Sequence, residues 1–102
     1  MLDEYALALL LVNNSLLVPW YLMCGHLYEH KNTSVISDFL WDQICEKLLE
    51  QFNSIEHHHK YLIDPSALCT ATFHHIREES IPLRIKNAAM CLVDTASKIK
   101  DA

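Results

Sequence analysis

Glycine occurs once in this chain of 102 residues, at Gly25, and proline three times. A sandwich or barrel of short strands needs many turn residues, so this scarcity excludes most all-β architectures. Basic residues are also few: eight Lys and Arg against thirteen Asp and Glu leave a net charge of −5. The positive footprint of a general nucleic-acid binder is missing, and duplex binding is not expected. The four cysteines, at 24, 45, 69 and 91, form no C-x-x-C pair. Each lies among apolar neighbours and is expected to be a buried free thiol packing as a small hydrophobe. Asp3 and Glu4 stand where a secretory signal would carry basic residues, so the expected setting is the reducing cytoplasm.

What the chain does contain is helix formers: Leu, Ala, Glu and Lys dominate its runs. The expectation is one all-α domain over residues 1–102, a small bundle of four to five helices around a central helical hairpin. A chain this long buries roughly 60% or somewhat more of its unfolded surface, enough for a core of its own.

Residues 5–24 carry no charge over twenty positions, a length that could span a bilayer. Asn13, Asn14 and Ser15 interrupt the run at its centre, Pro19 follows, and no flanking Lys/Arg asymmetry orients it. Two helices account for it better, and no membrane segment is expected. The first covers about 3–12 and is apolar nearly all round, so it should be buried or packed on a partner. The second is capped by Asn14 or Ser15, holds Pro19 in its first turn and runs to about His30. Its stripe is Trp20, Met23, Cys24, Leu27 and Tyr28. Gly25 sits inside it at a cost of up to ~1 kcal/mol against alanine, which a close helix–helix approach would offset.

A third helix is expected over about 38–53, with Trp41, Ile44, Cys45, Leu48, Leu49 and Phe52 inward. Asp64-Pro65 is a further start signal, acid as cap and proline at the first helical position. It opens a helix of roughly 65–79 with Leu68, Cys69, Thr72, Phe73 and Ile76 inward, although Thr70 and Thr72 weaken it. The last helix, about 82–99, has a regular stripe of Ile85, Ala88, Ala89, Leu92, Val93, Ala96 and Ile99.

Histidine invites a metal reading through His26 and His30 at i, i+4, the run His57–His59, and His74-His75. Zinc needs three or four converging ligands, and adjacent helical histidines diverge, so no metal is expected. Cys69 and His74 have a spacing open to a nucleophile and base, but nothing marks an oxyanion site.

The informative stretch is Leu27 to Leu49. One helix ends near Lys31, a polar turn of Asn32, Thr33 and Ser34 follows, and Ser37 and Asp38 are preferred N-cap residues for the next. Tyr28 and Glu29 precede the turn, and Trp41 and Asp42 follow it. Asp38 and Asp42, four apart beside Trp41, can share one side of the first helical turns.

Written as Tyr28-Glu29-(x)8-Asp38-x-x-Trp41-Asp42, this stretch resembles the N-terminal helical subdomain (Ia) of bacterial NAD-dependent DNA ligases. The matching run is Ile36-Ser37-Asp38-Phe39-Leu40-Trp41-Asp42-Gln43-Ile44, continuing through Glu46-Lys47-Leu48-Leu49-Glu50, and the loop before it has the family's length. It is also similar to short phage-encoded ligase-like proteins, with Glu56-His57-His58-His59-Lys60 as their E-H-x-H-K segment. The likeness covers about residues 20–62.

The resemblance implies that Tyr28 and Trp41 pack against the nicotinamide ring of NMN or NAD. It also implies that Asp38 and Asp42 contact the ribose or carboxamide. Physical chemistry agrees, since that ring is cationic and attracts aromatic faces and carboxylates. The N-terminal end of the third helix would suit a phosphate. Glu29 stands where the family has histidine, and Asn32 where it often has aspartate. There is no K-x-D-G nucleophile motif and no room for an adenylation domain, so catalysis of ligation is not expected. The expectation is therefore a non-enzymatic accessory module, of phage type and at work in the host cytoplasm, with Tyr28, Glu29, Asp38, Trp41 and Asp42 as ligand-binding residues. The alternative is a protein–protein interaction module, a homo-oligomer or an inhibitor of a host protein, with a decayed pocket.

Overall fold

In the computed structural model the described residues form five α-helices, joined by turns and three short 3-10 segments. The structure describes residues 2–57, 59–73 and 75–101, without the side chains of residues 11 and 99–101. His58, His74 and the Ile99 side chain, named above, lie outside the described residues. No strand occurs among the described residues, so the chain is all-α. No helix among them is long and apolar enough to cross a membrane.

Helix α1 spans Asp3–Val12 and α2 spans Leu17–His30. The cap between them is neither Asn14 nor Ser15. The Asn13 side chain accepts the Ser15 N–H at 3.0 Å and opens a 3-10 turn, Asn14–Leu16, that feeds α2. Asn13 wins because its own backbone is extended, the conformation a cap requires, while residues 14–16 are already helical.

The helix buried nearly all round is α2 rather than α1. Every residue from Leu17 to Leu27 except Pro19 is buried, because α2 lies against both α3 and α5. Among the described side chains of α1 only Ala6 and Leu10 are buried, with Leu2 just before it, and Tyr5, Leu7 and Val12 face solvent. Gly25 is explained differently from the expectation. A side chain there would overlap the buried ring of Phe73, which packs against α2 from an irregular segment.

Helix α3 spans Asp38–Glu50 and stops earlier than expected, as Gln51 turns and its carbonyl accepts the N–H groups of Ser54 and Ile55 at 3.0 Å. Its inward residues are Leu40, Ile44, Cys45 and Leu48, with Trp41, Leu49 and Phe52 packed against them. Helix α4 is only Pro65–Cys69, capped by the Asp64 carboxylate on the Ser66 N–H at 2.9 Å. The expected extension to residue 79 fails because the Ala67 carbonyl is taken by both the Thr70 and Thr72 N–H groups, and Ala71 enters the left-handed region at φ 53°. Cys69 is consequently exposed, while Phe73 and Ile76 are still buried, by an irregular path. Helix α5, Leu83–Asp101, buries Ile85, Ala89 and Leu92 against α2, with Ala88, Val93 and Ala96 beside them. Cys91 faces outward, so only Cys24 and Cys45 are the buried thiols expected of all four.

Candidate functional site

The turn between α2 and α3 is built from both sides. The Leu27 carbonyl accepts the N–H groups of Lys31 at 3.1 Å and Thr33 at 2.9 Å, which closes α2. Asn32 occupies the left-handed region at φ 50°, a conformation its short polar side chain tolerates. Val35 and Ile36 are buried and anchor the turn. Ser37, not Asp38, is the cap of α3: its hydroxyl oxygen accepts the Leu40 N–H at 3.2 Å, and Asp38 is the first helical residue.

Helix α1 fixes this turn from below. The Leu2 N–H donates to the Val35 carbonyl at 2.7 Å, and the Asp3 carboxylate accepts the Ser37 N–H at 2.8 Å. The Ser37 hydroxyl donates to the same carboxylate while receiving Leu40. Asp3 therefore orients the cap of a helix 34 residues away. In the sequence it shows only as a first-turn acid, and no local signal identifies this role.

Above the turn lies a cavity of about 310 Å³ lined by Cys24, Tyr28, Ser34, Val35, Ile36, Asp38, Trp41, Asp42 and Ala71. Four of the five residues singled out in the sequence meet there: Tyr28, Asp38, Trp41 and Asp42. The fifth, Glu29, is exposed and not part of the lining. Consecutive helical residues lie ~100° apart, so α2 cannot turn both Tyr28 and Glu29 toward one cavity.

Trp41 is held rigidly. Its ring stacks on Tyr21, with centroids 5.1 Å apart and planes 11° from parallel, and its N–H donates to the Ala71 carbonyl at 2.9 Å. Tyr21 is anchored in turn through its hydroxyl, which donates to the Thr72 carbonyl at 2.6 Å. The strained Ala71 thus presents the carbonyl that positions Trp41. Tyr21 was missed in the sequence although it lies seven residues before Tyr28, two turns down the same helix face. Ala71 has no sequence signal. Tyr28, by contrast, is 61% exposed and stands at the rim.

The cavity's charge is negative. Among the described residues neither Asp38 nor Asp42 is hydrogen-bonded through its carboxylate or paired with a cation. Cys24 is pushed up to about 12 by burial and then by the nearby Asp3, and Cys45 to about 12 by burial and then by Asp42. Burial, with Cys45 and Asp64, also raises Tyr21. Both thiols stay protonated near neutrality, so neither supplies a thiolate nucleophile.

Among the described residues the histidines form pairs rather than a cluster of three. His26 is buried beside His30, ring centroids 5.8 Å apart, and the His30 Nε2 meets the Ile76 carbonyl at 3.0 Å. His75 Nε2 accepts the Asp64 N–H at 3.2 Å at the start of α4. Among the described residues no group of three metal-ligating side chains comes together. No known family, no curated protein and no solved structure matches this chain.

Proposed function

We propose that the chain is a non-catalytic binding module, of the kind resembled by the ligase Ia subdomain, that holds the nicotinamide half of NMN, NAD or a related nucleotide. The supporting observation is the convergence of Tyr28, Asp38, Trp41 and Asp42 on one cavity beside the start of α3. A flat cationic ring gains most from a fixed aromatic wall and adjacent carboxylates, and Trp41, immobilised by Tyr21 and Ala71, is such a wall. Of the family's features the proposal carries over no catalysis, since the K-x-D-G motif is absent. A cytoplasmic accessory role of phage type belongs to this reading.

Titration of the protein with NMN and NAD, followed by calorimetry and Trp fluorescence, tests it. Saturable binding that disappears in the Trp41→Ala/Asp42→Ala double variant is the expected result. Absence of binding at millimolar ligand, or binding indifferent to the double variant, contradicts it.

A second reading has its own observation: Tyr5 and Val12, seven residues apart on one side of α1, face solvent. An apolar strip of this kind fits self-association through a second copy of α1. Light scattering over a dilution series measures it: a mass that doubles with concentration supports a dimer, and a constant monomer mass argues against one. A host protein captured in place of a second copy would assign the strip to a heterologous partner.

A further inference from the structure

A second cavity, of about 260 Å³, lies between α2, α5 and the segment around residues 57–59, and shares no described lining residue with the first. Pro19, Trp20 and Met23 from α2 and Ile85 and Ala88 from α5 give it an apolar wall. Its polar lining is the Arg84 guanidinium and the imidazoles of His57 and His59, with no carboxylate among the described lining residues. In a chain of net charge −5 this cavity is therefore opposite in character to the one lined by Asp38 and Asp42. Arg84 is exposed and has no anionic partner among the described residues, so an uncompensated cation stands at the rim of an apolar space.

Trp20 supplies an independent sign. It is only 3% exposed, yet its indole N–H meets no acceptor among the described residues. A buried indole ordinarily finds one, as Trp41 does in the Ala71 carbonyl. The Trp20 N–H is also not sealed off, unlike the unpartnered Nδ1 of His26. One apolar cavity thus has a donor lacking an acceptor and a cation lacking an anion in its lining. A carboxylate completes both, and the flat guanidinium suits its two oxygens. The volume sets the rest of the molecule: 260 Å³ is roughly nine times the ~30 Å³ that one water occupies, room for an apolar body of about eight carbons.

We propose that this cavity binds a small apolar monocarboxylic acid, with octanoate as its type. The carboxylate is shared by the Arg84 guanidinium and the Trp20 N–H, and the chain lies on Met23, Ile85 and Ala88. This site stands apart from the nicotinamide reading and does not depend on it.

A two-dimensional amide NMR titration of the full chain with octanoate, butyrate and neutral octanamide, at low and high salt, tests it. The expected result is saturable movement of the Trp20 indole and of the Met23, Ile85 and Ala88 backbone signals, with the Trp41 indole unmoved. Octanoate binds about fivefold tighter than octanamide at low salt, the range of an exposed ion pair, and the preference narrows as salt is added. It binds at least about tenfold tighter than butyrate, whose shorter chain covers less of the wall. Arg84→Gln brings octanoate and octanamide within about twofold of each other. Should that variant lose helicity by circular dichroism, the salt dependence of the unaltered chain decides. Octanamide as tight as octanoate, or a preference unmoved by salt and by Arg84→Gln, overturns the proposal. So does butyrate as tight as octanoate, a Trp20 indole unmoved at millimolar octanoate, or unsaturating shifts centred on the outer face of α1. None of these outcomes bears on the Tyr28–Trp41 cavity.

Discussion

Ser37 shows how a single side chain can join distant parts of this chain. Its hydroxyl accepts from Leu40 and donates to Asp3, so the start of α3 is tied to the start of α1. Ser37→Ala removes the cap and one of the two hydrogen bonds that the Asp3 carboxylate accepts, and a loss of about 1 kcal/mol is expected in urea unfolding. Asp3→Asn breaks the same link from the other end. The double variant should therefore lose less than the sum of the two single losses, because the residues act as a unit. Full additivity would show that the link carries no coupling. Gly25 gives the opposite kind of test. Alanine there gains up to ~1 kcal/mol in helix propensity but forces back a Phe73 ring already packed on Tyr21, 5.3 Å away between centroids. Overpacking of about 1–3 kcal/mol outweighs that gain, so Gly25→Ala should lower the unfolding midpoint. Adding Phe73→Leu should recover part of the loss.

Among the elements, the segment after α4 departs most from its sequence pattern. Ala71 holds a left-handed conformation that costs a side-chain-bearing residue about 1–2 kcal/mol. Ala71→Gly should therefore stabilise the protein by up to about 1 kcal/mol, read as a higher urea midpoint, while preserving the Trp41–carbonyl bond. A lower midpoint would mean that the Ala71 methyl is a packing group. The five helices were legible because Asp64-Pro65, Ser37 and the stripe of α5 are local signals, written within a few residues of the structures they start. The end of α4 was not. Its stop depends on the Thr70 and Thr72 N–H groups competing for one carbonyl, and on Phe73 reaching Gly25 across the fold. The first is a local competition with no strong residue signal, and the second is a tertiary event. The site divides in the same way. Asp38, Trp41 and Asp42 share one helix face and could be read from spacing, whereas Asp3 and Ala71 reach the site only through the folded chain. Tyr21 is within reach of the periodicity, seven residues before Tyr28.

For the molecule as a whole, acidity is a global probe through His26. Burial, and then His30, hold its imidazole below the ordinary histidine range, and Nδ1 has no partner among the described residues. The unfolded chain takes up this proton at about pH 6.5, the folded one only lower. Stability from this group is therefore complete above about pH 6.5 and is lost as pH falls toward the depressed folded value. Urea midpoints should drop between pH 7.5 and 5.5, and His26→Leu should drop less; equal drops would place the titration elsewhere. The central question is whether the cavity beside α3 takes a nicotinamide ligand. A two-dimensional amide NMR titration with NMN asks this directly, because the two indole N–H signals report on separate places. The result expected is movement of the Trp41 indole and of the backbone signals of residues 34–42 and Ala71, with the buried Trp20 indole unmoved. A spectrum unchanged at millimolar NMN, or shifts confined to the outer face of α1, would contradict it.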